Sequence, residues 1–216
     1  MTTASHVVPA VPPRYLKRVR DLLADGQRKL LGLVGPPGAG KSTLAIALQQ
    51  AFASHSQVVP MDGYHLANVE LRRLGRADRK GAPDTFDSAG YANLLRRLRK
   101  QVDGEIVYAP EFRRDIEEPI AGAIPVLADT QLIIAEGNYL LLNDGRWADV
   151  AGLLDDVWYV EVADGLRSDR LVERHQHFGR SREAALAWVA GTDEPNAQLI
   201  GATKSRANVL FSWSED

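Results

Sequence analysis

The chain alternates short apolar runs with segments in which apolar residues recur every three or four positions. The first pattern indicates buried strands and the second indicates amphipathic helices. Predicted strands lie at Lys29–Val34, Val58–Met61, Leu132–Ala135, Val157–Val162 and Val209–Trp213. Predicted helices lie at Arg14–Ala24, Ser42–Ala53, Ala89–Val102, Leu166–His177 and Arg182–Val189. Strands that alternate with helices predict an α/β fold with a five-stranded parallel sheet flanked by helices.

A small inserted hairpin is predicted between the second and third strands. Its strands are Glu105–Pro110 and Ala123–Leu127, and the charged stretch Arg113–Glu118 lies between them. The chain contains no internal repeat, low-complexity tract or linker. Its 216 residues suit one domain. We therefore expect residues 1–216 to form a single domain, with a mobile, Pro-rich start at residues 1–13.

Composition argues against several classes of function. A formal net charge of -2 is not that of a general nucleic-acid binder, which carries a basic excess. The absence of cysteine excludes disulfides, thiolate catalysis and cysteine-based zinc sites. The first residues lack the pattern of a signal peptide, and no apolar run reaches the roughly 18 residues that span a bilayer. We expect a cytoplasmic protein with no nucleic-acid partner and no membrane insertion.

One motif has the sequence pattern of a phosphate-binding loop. The pattern GxxxxGK[ST] follows the first predicted strand and opens a helix, which is the context that a P-loop requires. Its residues are Gly35, Pro36, Pro37, Gly38, Ala39, Gly40, Lys41 and Ser42. The glycines let backbone N–H groups turn toward phosphate oxygens at the positive end of a helix. A glycine-rich turn that binds nothing is the alternative.

The P-loop predicts ATP and Mg²⁺ as cofactors. Lys41 is expected to reach the β- and γ-phosphates and to act in catalysis, and the Ser42 hydroxyl is expected to join the magnesium ligands, with Thr43 as a helper. The chain has no Asn-Lys-x-Asp segment, which disfavours a GTPase, and no Leu-Ser-Gly-Gly-Gln segment, which disfavours a transporter ATPase. These absences favour a small kinase.

Two acidic residues follow predicted strands. Asp62 and Glu136 are expected at the carboxyl ends of parallel strands, where ligands of such sheets bind. A kinase benefits from a carboxylate that orients the acceptor hydroxyl and takes its proton, and Asp62 suits that catalytic role. Acids at strand ends also serve as caps or turn formers, so a structural role is the alternative.

Three further segments extend the motif into a family resemblance. They are Met61–His65, Arg79–Asp87 and Glu136–Leu140. With the P-loop, they resemble the superfamily of uridine kinase, pantothenate kinase and phosphoribulokinase from Leu30 to the C-terminus. The resemblance implies a P-loop NTPase three-layer sandwich. It also implies that Asp62 is the general base and that Glu136 supports magnesium or an acceptor hydroxyl.

The resemblance also implies an acceptor pocket. Its residues would be Tyr64, His65, Phe86, Arg114 and Tyr139. Ordinary half-buried aromatic residues and a helix-capping histidine are the alternatives. The combination of segments is similar to a subgroup labelled fructose transport system kinase, which implies a sugar acceptor. Relatives commonly have Phe-Asp-Arg where this chain has Phe-Arg-Arg, and Arg114 keeps the family position.

Arginines recur along the fourth predicted helix. Arg167, Arg170 and Arg174 share one helix face, and the resemblance places a lid at residues 166–182. We expect Arg170 and Arg174 to act on the transferred phosphoryl group. A solvated helix with internal ion pairs is the alternative. His175 and His177 point apart on a helix, which disfavours a metal site.

Two more segments carry expectations. Asp193–Asn196 predicts a helix start capped by Asp193, and the resemblance makes Asn196 a contact of the adenine. The basic run at residues 72–80 favours a solvated face over attraction of an anionic acceptor.

The sequence therefore predicts a kinase that moves the γ-phosphate of ATP to a hydroxyl of a small metabolite, most simply a sugar such as fructose. Uridine, another nucleoside or pantothenate are alternative acceptors. A nucleotide-binding regulatory protein without phosphoryl transfer is the rival from another class. The expected partners are ATP and the acceptor, and a homodimer is possible.

Overall fold

A computed structural model describes residues 8–213. The strands are β1 Lys29–Val34, β2 Ser56–Pro60, β3 Ile106–Arg113, β4 Glu118–Leu127, β5 Leu132–Glu136, β6 Asp156–Val160 and β7 Val209–Phe211. The helices are α1 Pro13–Leu22, α2 Lys41–Ala51, α3 Asn68–Arg73, α4 Ser88–Arg99, α5 Asp164–His177, α6 Arg182–Trp188 and α7 Glu194–Gly201. Among these residues, no helix is both long and apolar enough to cross a bilayer.

Five strands form one parallel sheet in the order β2-β5-β1-β6-β7. The predicted five-stranded parallel sheet is confirmed. In the register of the sheet, Glu136 lies opposite both Leu33 of β1 and Pro60 of β2. The P-loop begins two residues after Leu33, and Asp62 lies two residues after Pro60. Three separate motifs therefore emerge at one edge of the sheet.

Successive side chains of a strand point to opposite faces, and this sheet is buried on both. Leu31 and Leu33 pack on the side of α1 and α2. Leu30 and Val34 pack on the opposite side, with α4 and the hairpin. The result is a three-layer sandwich.

The inserted hairpin is longer than predicted. β3 and β4 pair as antiparallel strands, and the register shifts between Ala109 and Glu111. The turn closes at Glu117, which is the single non-glycine residue with positive φ in residues 8–213. Gly63 lies so close to β3 that a side chain there would overlap the carbonyl oxygen of Pro110. The hairpin is thereby fixed against the segment that carries Asp62.

The ends of the chain and some boundaries differ from the expectations. Residues 1–7 of the expected mobile start lie outside the described residues, whereas Val11 is buried in the core. Asp62 sits in a 3₁₀ turn, Met61–Tyr64, because β2 ends at Pro60. A π-helical segment, Val189–Asp193, links α6 to α7.

The expected cap at Asp193 is wrong. This residue has helical backbone angles, and its side chain makes no capping hydrogen bond. Its carboxylate instead lies 2.8 Å from Nε2 of His175. Tertiary contact with α5 thus replaces the local cap that the sequence indicated.

Candidate active site

A cavity of about 710 Å³ opens at the carboxyl ends of the sheet strands. The P-loop, the Asp62 segment, the hairpin and the helices after β6 all contribute to its wall. We call the side lined by Pro37, Gly38 and residues 40–43, with Arg170 and Arg174, the P-loop end. We call the other side the hairpin end, and its lining residues are His65, Asn68, Lys80, Phe86, Phe112, Arg114 and Glu117. Asp62 and Glu136 also line the cavity.

The P-loop contains two glycines with a backbone conformation that residues other than glycine rarely adopt. Gly38 and Gly40 have φ values of 80° and 89°. A Cβ atom at Gly38 would also lie 2.9 Å from the carbonyl oxygen of Arg167. Glycine is therefore required there both by conformation and by space. Residues 37, 38, 40, 41, 42 and 43 line the cavity, whereas Gly35, Pro36 and Ala39 do not.

Lys41 is the buried cation of the P-loop end. Its side-chain amine donates to the carbonyl oxygen of Pro36 at 3.1 Å, and only 7% of the residue is exposed. Burial lowers the pKa of Lys41 to about 8, although Glu136 and Asp62 oppose that shift. The lysine is thus poised to gain from an anion, because phosphate would replace the solvation that burial removed.

Ser42 and Glu136 form the second element of this end. The Ser42 hydroxyl donates to Oε2 of Glu136 at 3.1 Å. Burial raises the pKa of Glu136, with Lys41 opposing the shift and Asp62 adding to it. A hydroxyl and one carboxylate are hard oxygen ligands that suit Mg²⁺, which keeps several waters and binds substrate phosphates. The residues present therefore fit a magnesium ion held jointly with a nucleotide.

The described residues contain no group of three or more acidic or histidine side chains that would hold a metal by themselves.

Asp62 lies between the two ends of the cavity. Its carboxylate accepts from Nη2 of Arg114 at 3.0 Å. Burial would raise the pKa of Asp62, but His65, Arg114 and other cations outweigh it and the net shift is downward. Burial lowers the pKa of His65, so this ring is uncharged at neutral pH. Arg114 is then the cation that is hydrogen-bonded to Asp62. Asp62 is ionised, and its neighbour Glu136 is shifted in the opposite direction.

Opposite shifts in two adjacent carboxylates separate their roles. The carboxylate with the lowered pKa stays ionised and can accept a hydrogen bond from a hydroxyl. The carboxylate that hydrogen-bonds Ser42 faces the expected phosphates. The surroundings of Asp62 and Glu136 therefore differ, and their separate roles stay predictions.

The hairpin end combines an aromatic wall with polar groups. The ring of His65 contacts Phe86 and Phe112, with centroid distances of 4.0 Å and 4.5 Å. Its Nδ1 lies 2.7 Å from the backbone oxygen of Asp62, which fixes the ring. Lys80 lies over Phe112, with its amine 5.1 Å from the ring centroid.

The structure does not bring every predicted pocket residue to the cavity. Tyr64 packs edge-on against Tyr91 at 5.4 Å between ring centroids. Tyr139 is fully buried, and its hydroxyl donates to the backbone oxygen of Gly81. Neither tyrosine lines the cavity. Tyr64 packs on a neighbouring ring and Tyr139 binds a backbone oxygen, so neither side chain offers a free surface to a ligand. Both tyrosines instead pack behind the residues that form the wall.

The arginines of α5 divide into two kinds. Arg170 and Arg174 line the cavity, as the helical spacing predicted. Arg167 is 1% exposed and donates to Glu194 at 2.5 Å and to Asp164 at 3.4 Å. Arg167, for which no role at the phosphate was predicted, does not line the cavity, because its side chain ties α5 to α7.

The remaining residues that line the cavity were only partly foreseen. Asn196 lines the cavity, and its contact with adenine stays a prediction. Further lining residues that the sequence did not single out are Asn68, Glu117, Asn138, Phe178 and Trp188. Arg180 lies over Trp188, with its guanidinium carbon 3.8 Å from the ring centroid. No local pattern marks such residues, since they come from segments that meet only in the folded chain.

Known proteins resemble this chain over most of its length. The uncharacterized protein YggC of Escherichia coli is 34% identical over 195 residues, which are 88% of this chain and 80% of that protein. A Schizosaccharomyces pombe protein, provisionally named a uridine kinase, is 38% identical over 167 residues, 73% of this chain and 71% of its own. A solved structure from Silicibacter sp. TM1040 belongs to a protein provisionally named a fructose transport system kinase. It matches with a TM-score of 0.79 and 39% identity, covering 86% of this chain and 90% of that chain.

A family model agrees with these relatives and with the site. It spans residues 30–215, from the first sheet strand onward, and so includes the P-loop, Asp62 and Glu136. The resemblance drawn from the motifs is confirmed. The chain belongs to the phosphoribulokinase/uridine kinase family and is a P-loop kinase.

Proposed function

We propose that this kinase transfers the γ-phosphate of Mg-ATP to a hydroxyl group of a sugar such as fructose. The observation that carries the proposal is the position of Asp62. An ionised carboxylate stands in the same cavity as Lys41 and as the Ser42–Glu136 pair. A hydroxyl held by Asp62 would therefore face a phosphoryl group held by the P-loop.

Asp62 orients the acceptor and takes its proton as the new P–O bond forms. Arg114 holds the carboxylate through a hydrogen bond of 3.0 Å, so Asp62 cannot turn away from the cavity without losing that contact. The pair also keeps Asp62 ionised at neutral pH, which a proton acceptor requires.

Cations of the P-loop end act on the phosphates. Lys41 approaches from the P-loop, and Arg170 and Arg174 approach from α5. Positive groups in a water-poor site stabilise the charge that develops on the transferring group. Ser42 and Glu136 would hold magnesium, which when bound neutralises phosphate oxygens and helps to align them.

The sugar acceptor is supported by two observations. The Silicibacter relative carries the name of a fructose transport system kinase at 39% identity. The hairpin end offers an aromatic wall beside the polar side chains of Asn68 and Lys80, a combination that suits a ring with one apolar face and many hydroxyls.

A nucleoside such as uridine is the second candidate. The Schizosaccharomyces pombe relative carries the name of a uridine kinase. The rings of His65, Phe86 and Phe112 would then stack on a pyrimidine. Both candidates place a primary hydroxyl near Asp62.

The test is ATP consumption with Mg²⁺ in the presence of fructose, other sugars, uridine, pantothenate or no acceptor. The variant Lys41→Ala serves as the blank. Turnover that depends on a sugar supports the proposal, and turnover with uridine alone favours the second candidate. ATP turnover that ignores every acceptor, and persists in Asp62→Asn, would instead identify a nucleotide-dependent regulatory protein.

A further inference from the structure

The hairpin end carries two cations, and each already faces a carboxylate. Arg114 donates to Asp62 at 3.0 Å. The amine of Lys80 lies 3.8 Å from Oε2 of Glu117. The same amine donates to the backbone oxygen of Glu117 at 2.5 Å and to Oδ1 of Asn68 at 2.7 Å. The Lys80 amine therefore already makes two hydrogen bonds and one ion pair before any ligand arrives.

Glu117 is held in place by more than this one contact. Asn68 donates through Nδ2 to the backbone oxygen of Glu117 at 3.0 Å, and its backbone N–H donates to both oxygens of Glu118 at 3.1 Å. Glu117 itself has φ of 54°, a conformation that L residues avoid unless their surroundings impose it. The hairpin tip is thus anchored to α3, with Glu117 at the cavity wall.

The charges do not favour an anionic ligand at this end. Two cations, Lys80 and Arg114, stand against Asp62, Glu117 and Glu118. A phosphate or carboxylate on the acceptor would have to displace Glu117 from Lys80 or lie beside it. Like charges brought together at a binding site disfavour the wrong ligand, which is an established route to specificity.

We propose that Glu117 is a specificity-determining residue, which neutralises Lys80 so that the hairpin end accepts an uncharged polyol and rejects phosphorylated or carboxylated acceptors. The inference rests on the proposed function, since it describes the acceptor of that same reaction. It does not depend on which uncharged acceptor is used.

The experiment compares kcat/KM for matched acceptors, fructose against fructose 6-phosphate and uridine against its 5′-phosphate. Pantothenate serves as a carboxylate. The wild-type enzyme should prefer the uncharged member. Glu117→Gln keeps the size of the side chain and the hydrogen bond from Lys80 to the backbone oxygen of residue 117, and removes the charge. We expect it to raise kcat/KM for the anionic acceptors by about fivefold or more, with little change for the uncharged ones.

Two further variants serve as controls for this experiment. Glu111→Gln makes the same change of charge on the exposed face of the hairpin, and it should leave the preference as it is. Adding Lys80→Gln to Glu117→Gln should remove the gain, because the freed cation is then absent. Melting curves of each variant separate loss of folding from loss of preference.

The failures of the two proposals are distinguishable. Acceptor-dependent turnover that is faster with the anionic member in the wild type overturns this inference but leaves the kinase function standing. Equal effects of Glu117→Gln on both kinds of acceptor also overturn it. ATP turnover that depends on no acceptor overturns the proposed function, and this inference with it.

Discussion

The P-loop end and the hairpin end of the cavity both carry positive side chains, but these side chains form ion pairs with carboxylates at only one of the two ends. Within residues 8–213, neither Arg170 nor Arg174 forms an ion pair, and Lys41 binds only a backbone carbonyl oxygen. At the hairpin end, Arg114 and Lys80 each face a carboxylate. One end is therefore prepared for an anion, whereas the other has its charge already balanced.

The difference shows how one cavity can serve two ligands of opposite character. A buried cation without an ion pair, as Lys41 is, gains most from a polyphosphate, because the ligand restores the solvation that burial removed. Cations that are paired with carboxylates can still donate hydrogen bonds, but the pair has little net charge to attract an anion. Such pairs suit a neutral acceptor. Five changes should break or sharpen this contrast, and they follow in order of expected effect.

The largest effect is expected from Asp62→Asn, at the junction of the two ends. An amide cannot take the proton of the acceptor, so kcat should fall by about 10² to 10⁴ while ATP still binds. Steady-state kinetics and ATP titration measure the two quantities. Asp78→Asn, a change at an 82% exposed side chain, is the matched control and should keep full activity. Unchanged kcat in Asp62→Asn would remove this residue from the mechanism.

Lys41→Met tests the P-loop end directly. The variant keeps the apolar stem but removes the charge, and we expect kcat to fall by about 10² to 10³. Lys17→Met removes a charge that is 73% exposed and should have no effect. ATP turnover by Lys41→Met at the wild-type rate would contradict the assignment of this end to phosphate.

Arg174→Gln should reduce kcat by about 10²-fold, because this side chain faces the site where charge develops. Burial lowers the pKa of Arg174, and the charge of Arg114 adds to that shift, so an anion should be especially favourable beside it. Arg182→Gln, at an exposed position at the start of α6, is the control. A change in KM for ATP without a change in kcat would limit Arg174 to nucleotide binding.

The pH profile of kcat/KM for ATP should reveal Lys41. Burial lowers the pKa of this lysine to about 8, so the free enzyme holds the proton below that pH and loses it above. Since only the charged form attracts phosphate, kcat/KM should fall about tenfold for each pH unit above the pKa. In Lys41→Arg the alkaline fall should vanish, because arginine stays charged. An alkaline limb in that variant would assign the titration to another group.

The smallest catalytic effect is expected from Arg167→Gln. Arg167 lies on the same helix but is buried against Glu194, away from the cavity. Its loss should lower the free energy of unfolding by about 1 to 3 kcal/mol and leave kcat almost unchanged. Urea denaturation and steady-state kinetics measure the two effects. Arg73→Gln, which breaks an exposed pair, should change neither.

Local patterns predicted the regular elements of the sheet well. The first strand was placed at Lys29–Val34, where the structure has it, and the remaining strands of the sheet differ by at most two residues at either end. Strands of a parallel sheet that is buried on both faces are apolar at nearly every position. Such strands can therefore be located from the sequence before the fold is known. The π-helical segment and the length of the hairpin left no such signal.

The candidate site was only partly predictable. The P-loop is a contiguous motif, and Asp62 and Glu136 could be placed together because parallel strands share an edge. The division between Arg167 and its two neighbours could not be foreseen, since all three share one helix face in the sequence. Which of them meets the cavity depends on the position of α7 and Glu194.

The sequence by itself determined the α/β fold, the phosphate-binding loop and the edge of the sheet where chemistry is expected. Each of these depends on contacts that are local in the chain or on the direction of parallel strands. Only the tertiary structure decided that Tyr64 and Tyr139 support the wall, that Asp193 binds His175, and that Glu117 faces Lys80. Those pairings join residues that are far apart in sequence, and the packing of whole elements brings them within reach.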